Sequence, residues 1–256
     1  MTYGICHLSI IPLRIEPNDR SEMVSQLLFG DHFKILEKQK DWVKIKIAFD
    51  GYEGWIDKKQ YTQINKLDFE SLNEEPTILT NELIDFIEDD DKKLLTVVLG
   101  SRLPHYSDNI FKLNDKTFSF EGKTSSIISS KDAIVKTAVM YLNAPYLWGG
   151  KSPFGLDCSG LTQMVYKING YKLYRDASQQ ATQGEVLSFI EESEPGDLAF
   201  FDNKEGNIVH VGIILANNYI IHSSGKVRID RLDQSGIYNA ELKKHTHKLR
   251  VMKKIF

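Results

Sequence analysis

Apolar residues recur at helical spacing from Leu161 through Val165 to Ile168, and the pair Asn169-Gly170 that follows commonly ends a helix in a left-handed turn. This pattern predicts a helix with Cys158 at its N-terminus. Downstream the period shortens. Asn207 to Leu215 is a strand-length run rich in β-branched residues, Ala216-Asn217-Asn218 reads as a turn, and Tyr219 to Ser224 reads as the antiparallel partner. Pro195-Gly196-Asp197 reads as a turn entering the strand Leu198-Ala199-Phe200-Phe201, a structural role. Near the end, His245-Thr246-His247 alternates among lysines as an exposed edge strand would, and both histidines are read as surface residues, as are the scattered His7, His32 and His105.

The amino-terminal half has a different texture. Trp42 to Ile47 is a short strand-like run, and Asp50-Gly51 turns through Tyr52 into Gly54-Trp55-Ile56, the patterning of a small β-barrel over residues 1 to 65. Residues 66 to 92 are acid-rich, with Glu74-Glu75-Pro76 and Glu88 to Asp91 bracketing a helix-like stretch, Leu79 to Ile87. Strand-like segments return at Leu95 to Leu99 and Thr117 to Phe120. Glu121 to Ser126 reads as a linker, after which Ser129 or Ser130 caps a helix running through Ile134, Ala138 and Tyr141. The expected domains are 1–65, 66–125 and 126–256.

Composition narrows the class. With 256 residues, 41% hydrophobic and 26% charged, the chain can bury more than one core. A net charge of −3 argues against nucleic acid as a partner and gives no basic membrane-binding face. The start, Met1 to His7, has neither a basic segment nor a long apolar core, so no signal peptide or membrane span is expected, and a cytoplasmic monomer is the expectation. The two cysteines, Cys6 and Cys158, give no disulfide framework. No closely spaced cysteine or histidine pairs supply a tetrahedral zinc set, so neither metal nor cofactor is expected.

Cys158 lies between Asp157 and Ser159, at the start of an amphipathic helix rather than inside an apolar run. At a helix N-terminus, unpaired N–H groups and the positive end of the dipole favour a thiolate, so a thiol pKa below the ordinary value is expected. Asp157 and Ser159 can cap the helix, and the N–H of Cys158 can face a developing oxyanion. His210 and His222 lie on the two strands predicted to pair. His210 can then take the thiol proton while His222 fixes its ring, the nucleophile, base and orienter arrangement of thiol hydrolases.

Taken together, Tyr146 to Gly150, Gly155 to Leu161, Arg175 to Gln180, Pro195 to Phe201, His210-Val211-Gly212 and His222 to Gly225 resemble the NlpC-type cell-wall cysteine peptidases over about residues 126 to 256. The string Gly51-Tyr52-Glu53-Gly54-Trp55 looks like bacterial SH3-like modules, and residues 66–125 could hold a second, degenerate one. The resemblance implies an α+β chain, a papain-like catalytic domain preceded by one or two small SH3-like β-barrels. Its triad maps to Cys158, His210 and His222. It implies cleavage of peptidoglycan stem peptides between D-γ-glutamate and the diamino acid through a thioester. In the subgroup with amino-terminal SH3-like modules it implies a free N-terminal L-alanine, which suits recycling of imported wall fragments.

Asp176 matches the acidic residue that pairs with the substrate ammonium, or it caps the Gln-rich helix that follows, and the two roles are compatible. Tyr52 either helps bind that amine or is a barrel-surface aromatic. Tyr146, Asp157 and Ser159 complete the substrate-contacting candidates, with Tyr146 lining the pocket or facing the oxyanion and Trp148 packing beneath the Gly149-Gly150 turn. Two alternatives stand beside this one: a thiol amidase or acyltransferase on the same fold, and a non-catalytic wall-binding protein.

Overall fold

Val43, Ile45 and Ile47 are buried along the strand Trp42–Ile47, whereas Lys44 and Lys46 turn outward to Glu53 at 3.1 and 3.6 Å. The alternation is that of a strand with one face on a core. In the computed structural model, which describes residues 2–126 and 128–256, this strand belongs to a seven-stranded antiparallel sheet. The strands run in the spatial order Met23–Leu28, Ile10–Arg14, Glu53–Asp57, Trp42–Ile47, His32–Lys38, Thr2–Cys6, Tyr61–Ile64. Met1 and Ile127, which the expected domains 1–65 and 126–256 include, lie outside the described residues. The chain divides into two compact units, Met1–Ile127 with Trp148–Pro153, and Ile128–Leu147 with Phe154–Phe256.

In the first unit, Gly54 has a steric reason: a Cβ there would sit 2.6 Å from Leu13 Cγ, so the strand approach leaves no room for a side chain. Residues 66–125 form a helix, Lys66–Glu74, and a four-stranded sheet in the order Leu94–Val98, Ile84–Asp89, Lys116–Ser119, Ile110–Leu113. They build no separate core. Ile87, Val97, Phe111 and Phe118 pack in one cluster with Tyr3, Ile5, Phe29 and Ile64, and the rings of Phe29 and Phe111 meet edge to face at 5.9 Å.

The helix expected at Leu79 to Ile87 is not there. The chain forms the short strand Leu79–Thr80 and then the strand Ile84–Asp89, in which Ile87 and Asp89 are buried and Ile84 and Phe86 exposed. The helix lies earlier because Asn65 Oδ1 accepts the N–H of Asp68 at 2.8 Å as an N-cap, Phe69 and Leu72 give it a buried side, and Pro76 follows its end. Trp148, expected to pack beneath a turn, is 60% exposed, and its indole N–H donates to Glu22 Oε1 at 2.6 Å.

The second unit carries the helices Lys131–Met140, Cys158–Ile168 and Ala177–Gln180 and a seven-stranded antiparallel sheet. Its order is Glu185–Leu187, Lys244–Lys254, Leu198–Asp202, Ile208–Leu215, Tyr219–Ser224, Lys226–Asp233, Gly236–Asn239. Gly236–Asn239 pairs in turn with Lys244–Lys254, so six of the strands close on themselves around Ala199, Phe201, Ile214, Ile220, Leu232 and Ile237. The strand carrying His247 is therefore interior to the sheet, not the exposed edge read from its lysines. All eleven residues of Cys158–Ile168 are buried, and this helix packs on Ile208–Leu215. No helix of the described residues is long and apolar enough to cross a membrane.

Candidate active site

Cys158 is the first residue of its helix, and Asp157 is the N-cap, its Oδ1 accepting the N–H of Gly160 at 2.6 Å. The Arg175 guanidinium, 1% exposed, grips Asp157 with both terminal nitrogens, Nη2 to Oδ2 at 2.6 Å and Nη1 to Oδ1 at 3.0 Å. Arg175 Nη1 also donates to Ser159 Oγ at 3.0 Å. Gln180 closes the cradle, its Nε2 donating to Ser159 O at 3.0 Å and its Oε1 accepting from Thr162 Oγ1 at 2.7 Å. Bidentate arginine fixes a carboxylate in orientation as well as position. The Arg175-to-Gln180 motif thus holds the loop that presents the thiol, and Asp157 and Ser159 are engaged in that cradle.

His210 lies on Ile208–Leu215 and His222 on Tyr219–Ser224. In the pairing of these strands His222 stands opposite Gly212, two residues from His210 and on the same face. A Cβ on Gly212 would come within 2.9 Å of His222 Cβ, so glycine leaves the space into which His222 reaches toward His210. His210 Nε2 and His222 Nδ1 are 2.9 Å apart, and His222 Nε2 is 3.0 Å from Asp230 Oδ2. A carboxylate only accepts, so His222 carries its proton on Nε2. Its Nδ1 then accepts from His210 Nε2–H, and the lone pair of His210 falls on Nδ1.

Arg228 anchors the far end, Nε to Asp230 Oδ2 at 2.6 Å and Nη2 to Oδ1 at 3.0 Å. Burial alone would raise the Asp230 carboxyl, but the hydrogen bonds from His222 and Arg228 outweigh it and hold the group below its ordinary value. Asp230 therefore stays an acceptor at neutral pH. Neither Asp230 nor Arg228 was singled out in the sequence. The available signal was an acidic residue sharing a buried strand face with Leu232.

The thiol departs from expectation. Burial, reinforced by the nearby Asp157 charge, pushes Cys158 up to about 12, against the smaller lowering effects of the Val211 and Ser159 N–H groups and Arg175. Desolvation outweighs the helix dipole that was expected to lower it. Burial, then His222 and His247, hold His210 well below its usual range. The resting pair is neutral thiol and neutral imidazole.

Tyr146 is 37% exposed, and its hydroxyl is raised to about 12 by burial first and then by the charges of Cys158 and Asp157. Asp176 is the half-buried N-cap residue of Ala177–Gln180, its N–H bonded to Gln179 Oε1 at 3.2 Å. Tyr52 belongs to the first unit, where it packs against the core of Ile11, Phe33 and Ile45, and its N–H donates to Asp50 Oδ1 at 3.0 Å. Two histidines are not the surface residues their sequence context suggests: His32 is 5% exposed, with Nε2 3.1 Å from Asn73 Oδ1, and His247 lies at the site. It is half-buried, and its ring stacks on His210 at 4.1 Å between centroids and 24° between planes. One nitrogen from each of His210, His222 and His247 lies within 4.8 Å of the others.

Comparison with known proteins gives this geometry its kin. The profile described as the NlpC/P60 family matches residues 143–250, and that described as the bacterial dipeptidyl-peptidase Sh3 domain matches residues 13–60. Over 229 residues the chain is 30% identical to a gamma-D-glutamyl-L-lysine dipeptidyl-peptidase of Bacillus cereus, covering 79% of this chain and 68% of that one. A Bacillus subtilis protein of the same name is 28% identical over 238 residues, covering 85% and 78%. Among solved structures, an NlpC/P60 family protein from Bacillus cereus matches with a TM-score of 0.84 at 22% identity over 99% of each chain. The fold is a papain-like α+β domain preceded by an SH3-like β-rich region.

Proposed function

The chain belongs to the NlpC/P60 family of cysteine peptidases, and from that premise we propose that it hydrolyses the γ-D-glutamyl to diamino acid bond of peptidoglycan-derived peptides with a free N-terminal L-alanine. Two observations support this reading, the hydrogen-bonded line from His210 through His222 to Asp230 and Cys158 at the start of the helix that packs on the His210 strand, in a chain akin over 79% of its length to a gamma-D-glutamyl-L-lysine dipeptidyl-peptidase.

The chemistry follows from the tautomers. His210 Nδ1 takes the proton of the Cys158 thiol as sulfur attacks the γ-carbonyl, so charge forms only with substrate in place. The N–H of Cys158, which has no acceptor within its own helix, and the hydroxyl of Tyr146 face the developing oxyanion. His222 accepts from the imidazolium, and Asp230 steadies His222. The His210 imidazolium then gives its proton to the leaving amine, and a thioester remains on Cys158. Water, deprotonated by His210, releases the dipeptide and restores the thiol.

Asp176 supplies the carboxylate that meets the L-alanine ammonium. A charge-assisted contact of this kind is worth about 1.5–3 kcal/mol. A peptidase with that requirement acts on fragments rather than on intact wall, which suits recycling in the cytoplasm.

Incubation with L-Ala-γ-D-Glu-diaminopimelate, its lysine counterpart and the N-acetylated form of each tests the proposal. Release of L-Ala-D-Glu only from the free-amine peptides, and not by Cys158→Ala, is the expected result. Equal cleavage of the acetylated peptides removes the amine requirement, and activity surviving in Cys158→Ala removes the mechanism.

A further inference from the structure

Three imidazoles meet where the peptidase chemistry uses two. His247 comes from Lys244–Lys254, which flanks Leu198–Asp202 on the side opposite the His210 strand, and its ring lies against both others, 4.1 Å from His210 and 5.6 Å from His222 between centroids. The nitrogens lie within 4.8 Å of one another. Tetrahedral zinc, with Zn–N bonds of about 2.0–2.1 Å, needs its donor nitrogens about 3.3 Å apart. The His210–His222 separation of 2.9 Å is that of a direct hydrogen bond, so binding an ion requires these nitrogens to part by about 0.4 Å and turn from each other toward it, with His247, half-exposed, turning in as the third donor.

The surroundings also suit a metal. Asp230 holds the Nε2 proton of His222 and so presents its Nδ1 lone pair inward, as a carboxylate behind a zinc-bound histidine does. Thr246 Oγ1 lies 2.9 Å from His247 Nδ1, which leaves Nε2 of that ring to bind. Only His210 must change tautomer, its proton moving from Nε2 to Nδ1, the nitrogen that otherwise takes the thiol proton. Three imidazoles with a fourth position open to water is a known form of zinc site.

The geometry points to a reversible zinc site made of His210, His222 and His247, whose occupation switches the peptidase off by taking the His210–His222 hydrogen bond out of the acid–base line. The inference rests on the imidazole cluster and needs no particular peptide substrate. Zinc is favoured over magnesium or calcium because the donors are neutral nitrogens rather than oxygens.

Cobalt(II), a spectroscopic stand-in for zinc, tests the site in the intact protein without substrate. One Co2+ per chain with the intense visible band of a four-coordinate ion is expected, displaced by Zn2+. His247→Gln should weaken binding at least about 100-fold, since it removes one of three protein ligands. His245→Gln, exposed on the same strand, should bind as the wild type does. Zn2+ should stop peptide hydrolysis in parallel with Co2+ displacement, EDTA should restore it, and His247→Gln should resist it. Absence of a four-coordinate band overturns the site. Equal zinc affinity in His247→Gln and wild type, lost instead in Cys158→Ala, also overturns it, because the metal would then be held by the thiol. A protein that binds Co2+ as expected but cleaves no stem peptide would leave this site standing and remove the substrate reading.

Discussion

Arg175 and Asp157 form a bidentate ion pair at 2.6 and 3.0 Å, both nearly sealed from solvent, one residue before the nucleophile. Such a pair costs desolvation, and what it secures here is the orientation of the loop carrying Cys158. Removing one partner strands a buried charge.

Arg175→Met is therefore expected to lower stability by about 3–5 kcal/mol, the cost of breaking a buried pair. Urea unfolding followed by circular dichroism measures it. Arg175→Lys keeps the charge but not the fork, so it should recover part of the stability while kcat stays low. Full activity in the lysine variant would show that charge alone suffices.

The neutral thiol makes a spectroscopic prediction. With Cys158 pushed up to about 12, the difference in 240 nm absorbance between wild type and Cys158→Ala should stay flat from pH 6 to 9 in the substrate-free protein. An unfolded cysteine ionises at about 8.5, so above that value the unfolded chain binds fewer protons than the folded one. This group thus erodes stability as pH rises through the window from about 8.5 toward about 12. A thiolate signal already present at pH 7 would mean a preformed ion pair instead.

Asp230→Asn tests the proton line. The amide can donate to His222 Nε2, reverse its tautomer and leave His210 without an acceptor. A loss of about 10²-fold or more in kcat is expected, the scale of general acid–base catalysis, with KM little changed. An unchanged kcat would reduce Asp230 to a structural partner of Arg228.

Asp176→Asn separates recognition from chemistry. A lost charge-assisted contact of about 1.5–3 kcal/mol corresponds to about 10- to 150-fold in kcat/KM for a free-amine peptide. Paired kinetics on free and acetylated peptides should show the gap between them closing. An equal loss on both would assign Asp176 to helix capping alone.

What the sequence disclosed followed from how local each signal was. Cys158 announces itself through its own helix start, and His210 and His222 through adjacent strands joined by three residues, so neighbours in the chain carry the information. Arg175, Asp230 and His247 act through partners brought to them by tertiary pairing, and the lysines around His247 disguised an interior strand as an edge. The thiol misled for another reason: the dipole at a helix start is visible in sequence, whereas the depth of burial that overrides it is not. Leu79 to Ile87 misled because the strand Ile84–Asp89 is fixed by pairing with Leu94–Val98 and Lys116–Ser119, partners that lie outside the stretch itself.

The closed circuit of six strands decides how a peptide can be held. Each of those strands has a neighbour on both sides over part of its length, so no strand in the ring offers a full free edge to an added peptide strand. The gaps are short and local: Ile208 to Val211 pairs with Leu198–Asp202, whereas pairing with Tyr219–Ser224 begins only at Gly212. The strand that carries His210 is therefore split between a stretch locked on both sides and a stretch beside the imidazole that is paired on one side.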